Sequence, residues 1–136
     1  MMTTRADVRS FNLAIDRFIE TDIPEARLEF KKLIATEALR SIVMKNPVKT
    51  GRSRGNWNVT RTAPSRAVNV NQFDKEGSAT IERGMAKIDK SKDGEDIFVT
   101  NNVEYINLLE DGSSQQAREG MVRKTIEEID LHYARP

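Results

Sequence analysis

Cysteine is absent and histidine occurs once in 136 residues, and these two gaps close off much of ordinary enzyme chemistry. Without cysteine there is no disulfide, no thiolate metal ligand and no thiol nucleophile. With His132 as the lone imidazole, one chain assembles neither a Ser-His-Asp triad nor a two-histidine metal site. His132 falls near the end of an expected C-terminal helix, where a structural or exposed imidazole is the default. Aromatics are only 6% of the chain, with a single tryptophan, so a platform of rings for stacking bases is missing. No stretch approaches the ~20 apolar residues of a membrane span, and the N-terminus has no apolar signal core. The expectation is a soluble protein made in the cytoplasm, with no membrane partner, no metal and no cofactor.

One sign of charge is also missing locally. No acid occurs between residues 38 and 73, which hold Arg40, Lys45, Lys49, Arg52, Arg54, Arg61 and Arg66, a net of +7. Residues 1–37 carry net −1 and residues 74–136 net −5, so the overall +1 conceals a basic middle and an acidic end. Hydrophobic content of 38% beside 32% charged residues describes one thin domain with much exposed surface, of a kind that often completes its burial by association. Residues 1–23 read as an N-terminal helix and 24–136 as the core of this single domain.

The periodicities give an α+β fold. Thr4 is placed to cap a first helix, and Phe11, Ile15, Phe18 and Ile19 form its stripe. "TDIPEA" reads as a break, with Asp22 capping a second helix and Glu25 in its first turn. That helix, about Pro24 to Lys45, is apolar on two sides: Phe30, Leu33 and Ile34 on one, Leu28, Ala35, Leu39 and Ile42 on another. Two apolar sides imply two covers, either both from its own domain or one from a neighbouring subunit. Asn46-Pro47 stops it. Trp57 to Thr60 reads as a strand with Trp57 and Val59 facing one way, which assigns Trp57 to the core. Val68 and Val70, alternating with asparagines, suggest a short edge strand. Ser78 is placed to cap a short helix with Ile81, Met85 and Ile88 in step. Ile97 to Val99 reads as a second strand. Tyr105, Leu108 and Leu109 suggest a helical turn ended by Gly112. A last helix from about Ala117 carries Val122, Ile126, Ile129 and Tyr133. The result is a small, mostly antiparallel sheet packed against the long helix and the C-terminal helix.

Local chemistry is mostly excluded. A phosphate loop needs G-x-x-x-x-G-K-[ST] between a strand and a helix, but Gly51 and Gly55 are four apart and lie between a helix and a strand. "DKSKDGED" imitates a calcium loop through Asp89, Ser91, Asp93 and Gly94. Its twelfth position is Thr100 rather than glutamate, and Lys90 and Lys92 oppose a cation. No catalytic residues are assigned. The basic segment 49–66 leaves open a small DNA-binding module, with Arg52, Arg54 and Arg61 on phosphates. Equally, a basic edge could meet an acidic edge in a head-to-tail ring.

Two strings carry a resemblance. The first is "NPVKTGRSRGNW", with Pro47, Val48, Thr50, Gly51 and Arg52 ahead of Trp57. The second is "NNVEYINLLEDGSS", with Asn101, Asn102, Tyr105, Ile106, Leu109, Glu110, Gly112 and Ser114. Together with the elements between them, across roughly residues 28–130, they resemble the tail-completion (neck) proteins of tailed bacteriophages, the family that includes lambdoid minor tail proteins of the Z type. Two departures are visible: Lys49 stands where an acid is usual, and "QQAREGM" replaces a proline-containing stretch. The resemblance implies a virion structural protein at the head–tail junction, not an enzyme. It would form a ring, six subunits by tail symmetry, beside other neck, connector and tail-tube or tail-terminator proteins. Genomic DNA would pass through the channel, and Lys49, Arg52, Arg54, Arg61 and Arg66 are the candidates for a subunit interface or the channel wall.

Overall fold

In the computed structural model the described residues are 14 and 16–133. A π-helical turn, Phe18–Asp22, runs directly into helix α1, Ile23–Lys45. The expected break at "TDIPEA" is therefore absent. Asp22 is helical and makes no side-chain cap. Pro24 explains the geometry: it has no N–H to give Glu20, and its ring would crowd that carbonyl in a regular helix. One wider turn relieves the clash, with the Ile23 N–H donating back to Phe18 O. The cap expected at Thr4 lies outside the described residues, as does the stripe at Phe11 and Ile15.

After α1 come a single turn, α2 (Arg52–Gly55), strand β1 (Asn58–Thr60), α3 (Ser78–Asp89) and strand β2 (Phe98–Thr100). Helix α4 (Ile106–Glu110), a 3₁₀ turn (Gln115–Ala117) and α5 (Val122–Tyr133) complete the chain. The sheet is one antiparallel pair, with Asn58 opposite Thr100, Val59 opposite Val99 and Thr60 opposite Phe98. The α+β class holds: a small antiparallel sheet lies with a long helix and a C-terminal helix.

The core gathers Leu39, Ile42 and Val43 of α1 with Trp57, Val59, Ile88, Ala117 and Met121. Trp57 is 4% exposed, and Val59 beside it is also buried, as their alternation requires. Gly84 lets α3 cross α1 closely, because a Cβ there would stand 2.4 Å from Leu39 Cδ2. On its other side α1 meets α5. Ser41 Oγ and Thr125 Oγ1 are 2.8 Å apart, Lys45 pairs with Glu128, and the Tyr133 hydroxyl donates to Glu37. The C-terminal half of α1 thus has both its covers within its own chain. The stretch leading into its N-terminal end has no such cover among the described residues: 14 and 16–23 are all exposed.

Three local expectations need correction. Residues 68–71 form no strand. The Asn69 N–H donates to Asn56 Oδ1 and the Gln72 N–H to Asn69 O, so side chains and a turn take the groups a strand partner would need. Ser78 does not cap α3. Gly77 precedes it at φ 85°, and Asp74 accepts from Gly77 N, Thr80 N and Thr80 Oγ1. The last helix begins at Val122 rather than Ala117, since Gly120 (φ 83°) breaks the chain after the 3₁₀ turn. Its inward face is also rotated, with Thr125 buried and Ile126 exposed.

Candidate functional site

The two sequence motifs meet in one cleft. Its volume is about 720 Å³, and it lies between the 47–53 loop, Phe73, the start and body of α4, and the 114–116 turn. The first wall exists because α1 stops at Asn46. Proline follows, and Gly51 takes φ 90°. A Cβ on Gly51 would sit 2.7 Å from Lys75 N, so glycine both turns the chain and admits the 72–75 strand of loop against it. Thr50 Oγ1 accepts from Arg52 N, tightening the same turn.

Asn46 organises the interior side. Its Nδ2 donates to Pro47 O and Ser53 Oγ, and its Oδ1 accepts from Trp57 Nε1 at 2.9 Å. All three polar contacts are buried, so the helix stop, the loop and the core tryptophan form one satisfied network.

The second wall is pinned to the first at several points. Gln116 Oε1 accepts from Val48 N and Gln116 Nε2 donates to Val48 O, imitating a strand partner with one side chain. Asn101 Nδ2 donates to Ser53 O, while its Oδ1 accepts from Val103 N. Asn102 Nδ2 donates to Ser65 O. Arg52 donates to both oxygens of Glu104, at 2.9 and 3.1 Å, and its guanidinium lies 5.9 Å from the Tyr105 ring centre. The hydrogen bond to Glu104 raises the Arg52 pKa and lowers that of Glu104.

Glu110 and Gly112 hold the back of the site. Glu110 accepts from Met121 N, Val122 N and Arg123 N, each at 2.9 Å. One carboxylate thereby covers the first turn of α5. Burial pushes the Glu110 carboxyl up, and the three N–H bonds with Arg123 nearby outweigh it, leaving the pKa below its ordinary 4.5. Gly112, at φ 92°, brings its Cα so near Arg118 O that a Cβ would be 2.3 Å away.

The five candidate cations separate into two groups. Arg54 turns inward, donating to Met44 O, Asn46 O and Lys75 O. It satisfies the carbonyls that α1 leaves at its C-terminus, and burial lowers its pKa against the pull of Asp74. Arg52 is engaged with Glu104. Arg61 donates to Lys90 O and lies 3.6 Å from Glu95. Lys49 and Arg66 are exposed and form no hydrogen bond or ion pair among the described residues. Lys49 lines the cleft and Arg66 does not.

Gln116, Ser53, Phe73 and Asp74 carry much of this geometry and were not singled out from the sequence. Asp74, three residues before Gly77 and six before Thr80, has capping chemistry and was open to recognition. Gln116 acts on Val48 from 68 residues away, Ser53 joins Asn46 to Asn101, 48 residues on, and Phe73 meets cleft walls distant in sequence. Two cations line the cleft beside Val48, Phe73 and Leu109: Lys49, without an ion pair among the described residues, and Arg52, already paired with Glu104. Among the described residues no three His, Cys, Asp or Glu side chains gather as a metal site, and no helix is long and apolar enough to cross a membrane. Electrostatically such a cleft suits an acidic, partly apolar surface. Comparison with known protein families, with curated proteins and with solved structures finds no match for the chain.

Proposed function

We propose that this chain is a structural subunit of the head–tail junction of a tailed bacteriophage. It would form a ring that helps complete the tail or join it to the capsid connector around the DNA channel. The observation that carries this reading is the meeting of the two resembling motifs. Residues 52 apart in sequence, Arg52 and Glu104, pair across one cleft, and Asn101 donates to Ser53 O from 48 residues away. Motifs that were short and unremarkable as strings become two walls of a single surface. That surface is built to hold something rather than to transform it.

The work in such a role is geometric. The subunit presents one face to the next subunit and others to the rings above and below. The partners are further copies of itself, six by tail symmetry, with neck, connector and tail-tube or tail-terminator proteins as neighbours, in a particle assembled in a bacterial host. Electron microscopy of labelled particles tests this directly, with label expected at the junction. Native mass measurement on the isolated connector or tail tube should find a closed oligomer. Infectious particles formed normally without the protein would overturn the proposal.

The rival, a DNA-binding module on residues 49–66, loses ground because Arg52, Arg54 and Arg61 are engaged with protein groups. Its proper test uses Lys49→Glu with Arg66→Glu, which disturb no internal contact. DNA affinity that falls steeply with salt and vanishes in that variant would favour it.

A further inference from the structure

The N-terminal end of α1 and the motif cleft are two unlike surfaces at opposite ends of one helix. Residues 16–25 carry Asp16, Glu20, Asp22 and Glu25 against the single base Arg17, a net of −3. On the same stretch Phe18 is 54%, Ile19 57% and Ile23 40% exposed. No described residue in the π-helical turn is buried. Among the described residues these three large apolar side chains, set on an acidic helical stretch, have no cover. The cleft answers both properties. Phe73 (55% exposed) and Leu109 supply apolar wall, and Lys49, which has no ion pair among the described residues, supplies positive charge, Arg52 beside it being already paired with Glu104.

The arm does not reach the cleft of its own chain. The 23 residues of α1 span about 34 Å at 1.5 Å per residue, with the arm before the first and the cleft after the last. A rigid helix therefore holds donor and acceptor apart, and the complement must come from another copy. We infer that the acidic, apolar arm of one copy docks into the Lys49–Phe73 cleft of the next, head to tail.

This contact is heterologous: each subunit gives an arm and receives one, so it propagates until the rotation closes a ring. The inference rests on the ring reading for closure and deepens it by naming the two surfaces. Other apolar ground is less suited. The hollow between α1 and β2, lined by Ile34, Ala38, Ile97 and Val99, has one cation and one acid at its rim, Lys31 and Asp96. Lys31 is already held by Glu95 O. It therefore offers an acidic arm no electrostatic preference. A two-turn arm is also smaller than the ~800 Å² per partner of a standard interface. The isolated contact is weak, and its detection calls for covalent trapping.

Natural cysteine is absent, so trapping is clean. In the full chain, Ile19→Cys with Phe73→Cys should give, on mild oxidation, a ladder of disulfide-linked dimers, trimers and larger species. Either substitution alone should stop at dimers, because one thiol per chain links only in pairs. A control with Leu131→Cys replacing Ile19→Cys, exposed on α5, should give no ladder. Adding Lys49→Glu should cut the ladder about tenfold at low salt, and adding Glu20→Lys to that should restore it. Salt should weaken the ladder of the Ile19→Cys, Phe73→Cys chain, as a contact between exposed charges requires. All of these side chains are exposed, and an unchanged helical circular dichroism signal confirms that the variants fold.

No ladder, a ladder equal to the Leu131→Cys control, or one indifferent to Lys49→Glu would overturn the inference. A closed oligomer on the connector without the ladder would overturn the docking and leave the ring. A ladder from a protein absent from virions would do the reverse.

Discussion

Glu110→Gln tests whether the junction between α4 and α5 depends on one charge. The wild-type carboxylate accepts three N–H groups, two on Oε1 and one on Oε2. Glutamine keeps the shape but has one carbonyl oxygen. Oriented to serve Met121 and Val122, it turns its NH₂ toward Arg123 N, donor against donor. Losing a helix cap costs about 0.5–2 kcal/mol, and losing a negative charge at the positive end of a helix about 0.3–1 kcal/mol. Together these give roughly 1–3 kcal/mol at pH 7. For 136 residues each kcal/mol moves the Tm by about 3–4 °C, so a fall of several degrees is expected, matched by urea unfolding at unchanged slope. The pH dependence follows from the lowered pKa. A carboxylate whose folded pKa is depressed contributes stability above its unfolded value, near 4.5, and loses it as pH falls through the folded value. The gap between wild type and Glu110→Gln should therefore be full at pH 6–7 and close steadily below about 4.5. A loss under about 0.5 kcal/mol at pH 7 would refute the reasoning, as would a gap that stays constant into acid.

Perturbations at four further positions probe separate parts of the same frame. Trp57→Ala should cost about 3–5 kcal/mol by cavity formation. Trp57→Phe should still cost about 1–3 kcal/mol, because Asn46 Oδ1 is left buried without its donor; denaturant unfolding measures both, and a Trp57→Phe loss under about 0.5 kcal/mol would deny the hydrogen bond any role. Asp74→Asn should weaken the start of α3 by about 0.5–2 kcal/mol, read as faster amide exchange at Gly77 and Thr80, and unchanged exchange there would refute it. Gly120→Ala should destabilise by about 2–4 kcal/mol, since φ is 83° and its Cβ would meet Glu110 O at 2.5 Å; a neutral thermal melt would be incompatible with that packing. Lys49→Glu should leave stability within about 0.5 kcal/mol while altering assembly, and a large melting shift would show that it is structural after all.

The parts of the fold legible in sequence were those written in neighbouring residues. Asn46-Pro47 ended α1 because proline constrains the residue before it. Trp57 and Val59 revealed the core face of β1 because strand periodicity is local. The stripe of Ile81, Met85 and Ile88 likewise located α3. What escaped needed a distant partner. Val68 and Val70 have strand alternation, yet the backbone beside them is claimed by Asn56, thirteen residues earlier. Val122 begins α5 because Glu110, twelve residues back, covers its first turn. Pro24 misled for a different reason. Its missing hydrogen bond was read as the end of one helix and the start of another, whereas a single π-helical turn absorbs the defect and the helix continues.

The candidate site illustrates the same limit and suggests how to read past it. As a string, "KTGRSRG" offers three equivalent cations on a connection. In the structure they differ, and the reason lies in the end of the preceding helix. A helix leaves its last carbonyls without partners, and here the chain leaves through buried Asn46 and Pro47, where water is excluded and proline has no N–H to give. Some other donor had to cover them, and Arg54 does so at Met44 O and Asn46 O. Arg52 is next constrained, drawn to Glu104 across the cleft. Lys49 is what remains, without a hydrogen bond or ion pair among the described residues. An acid there would repel an acidic partner, whereas a lysine attracts one. The charge at this position therefore bears on which surface the cleft accepts rather than on whether the loop folds, and reversing it is the most direct way to change its partner.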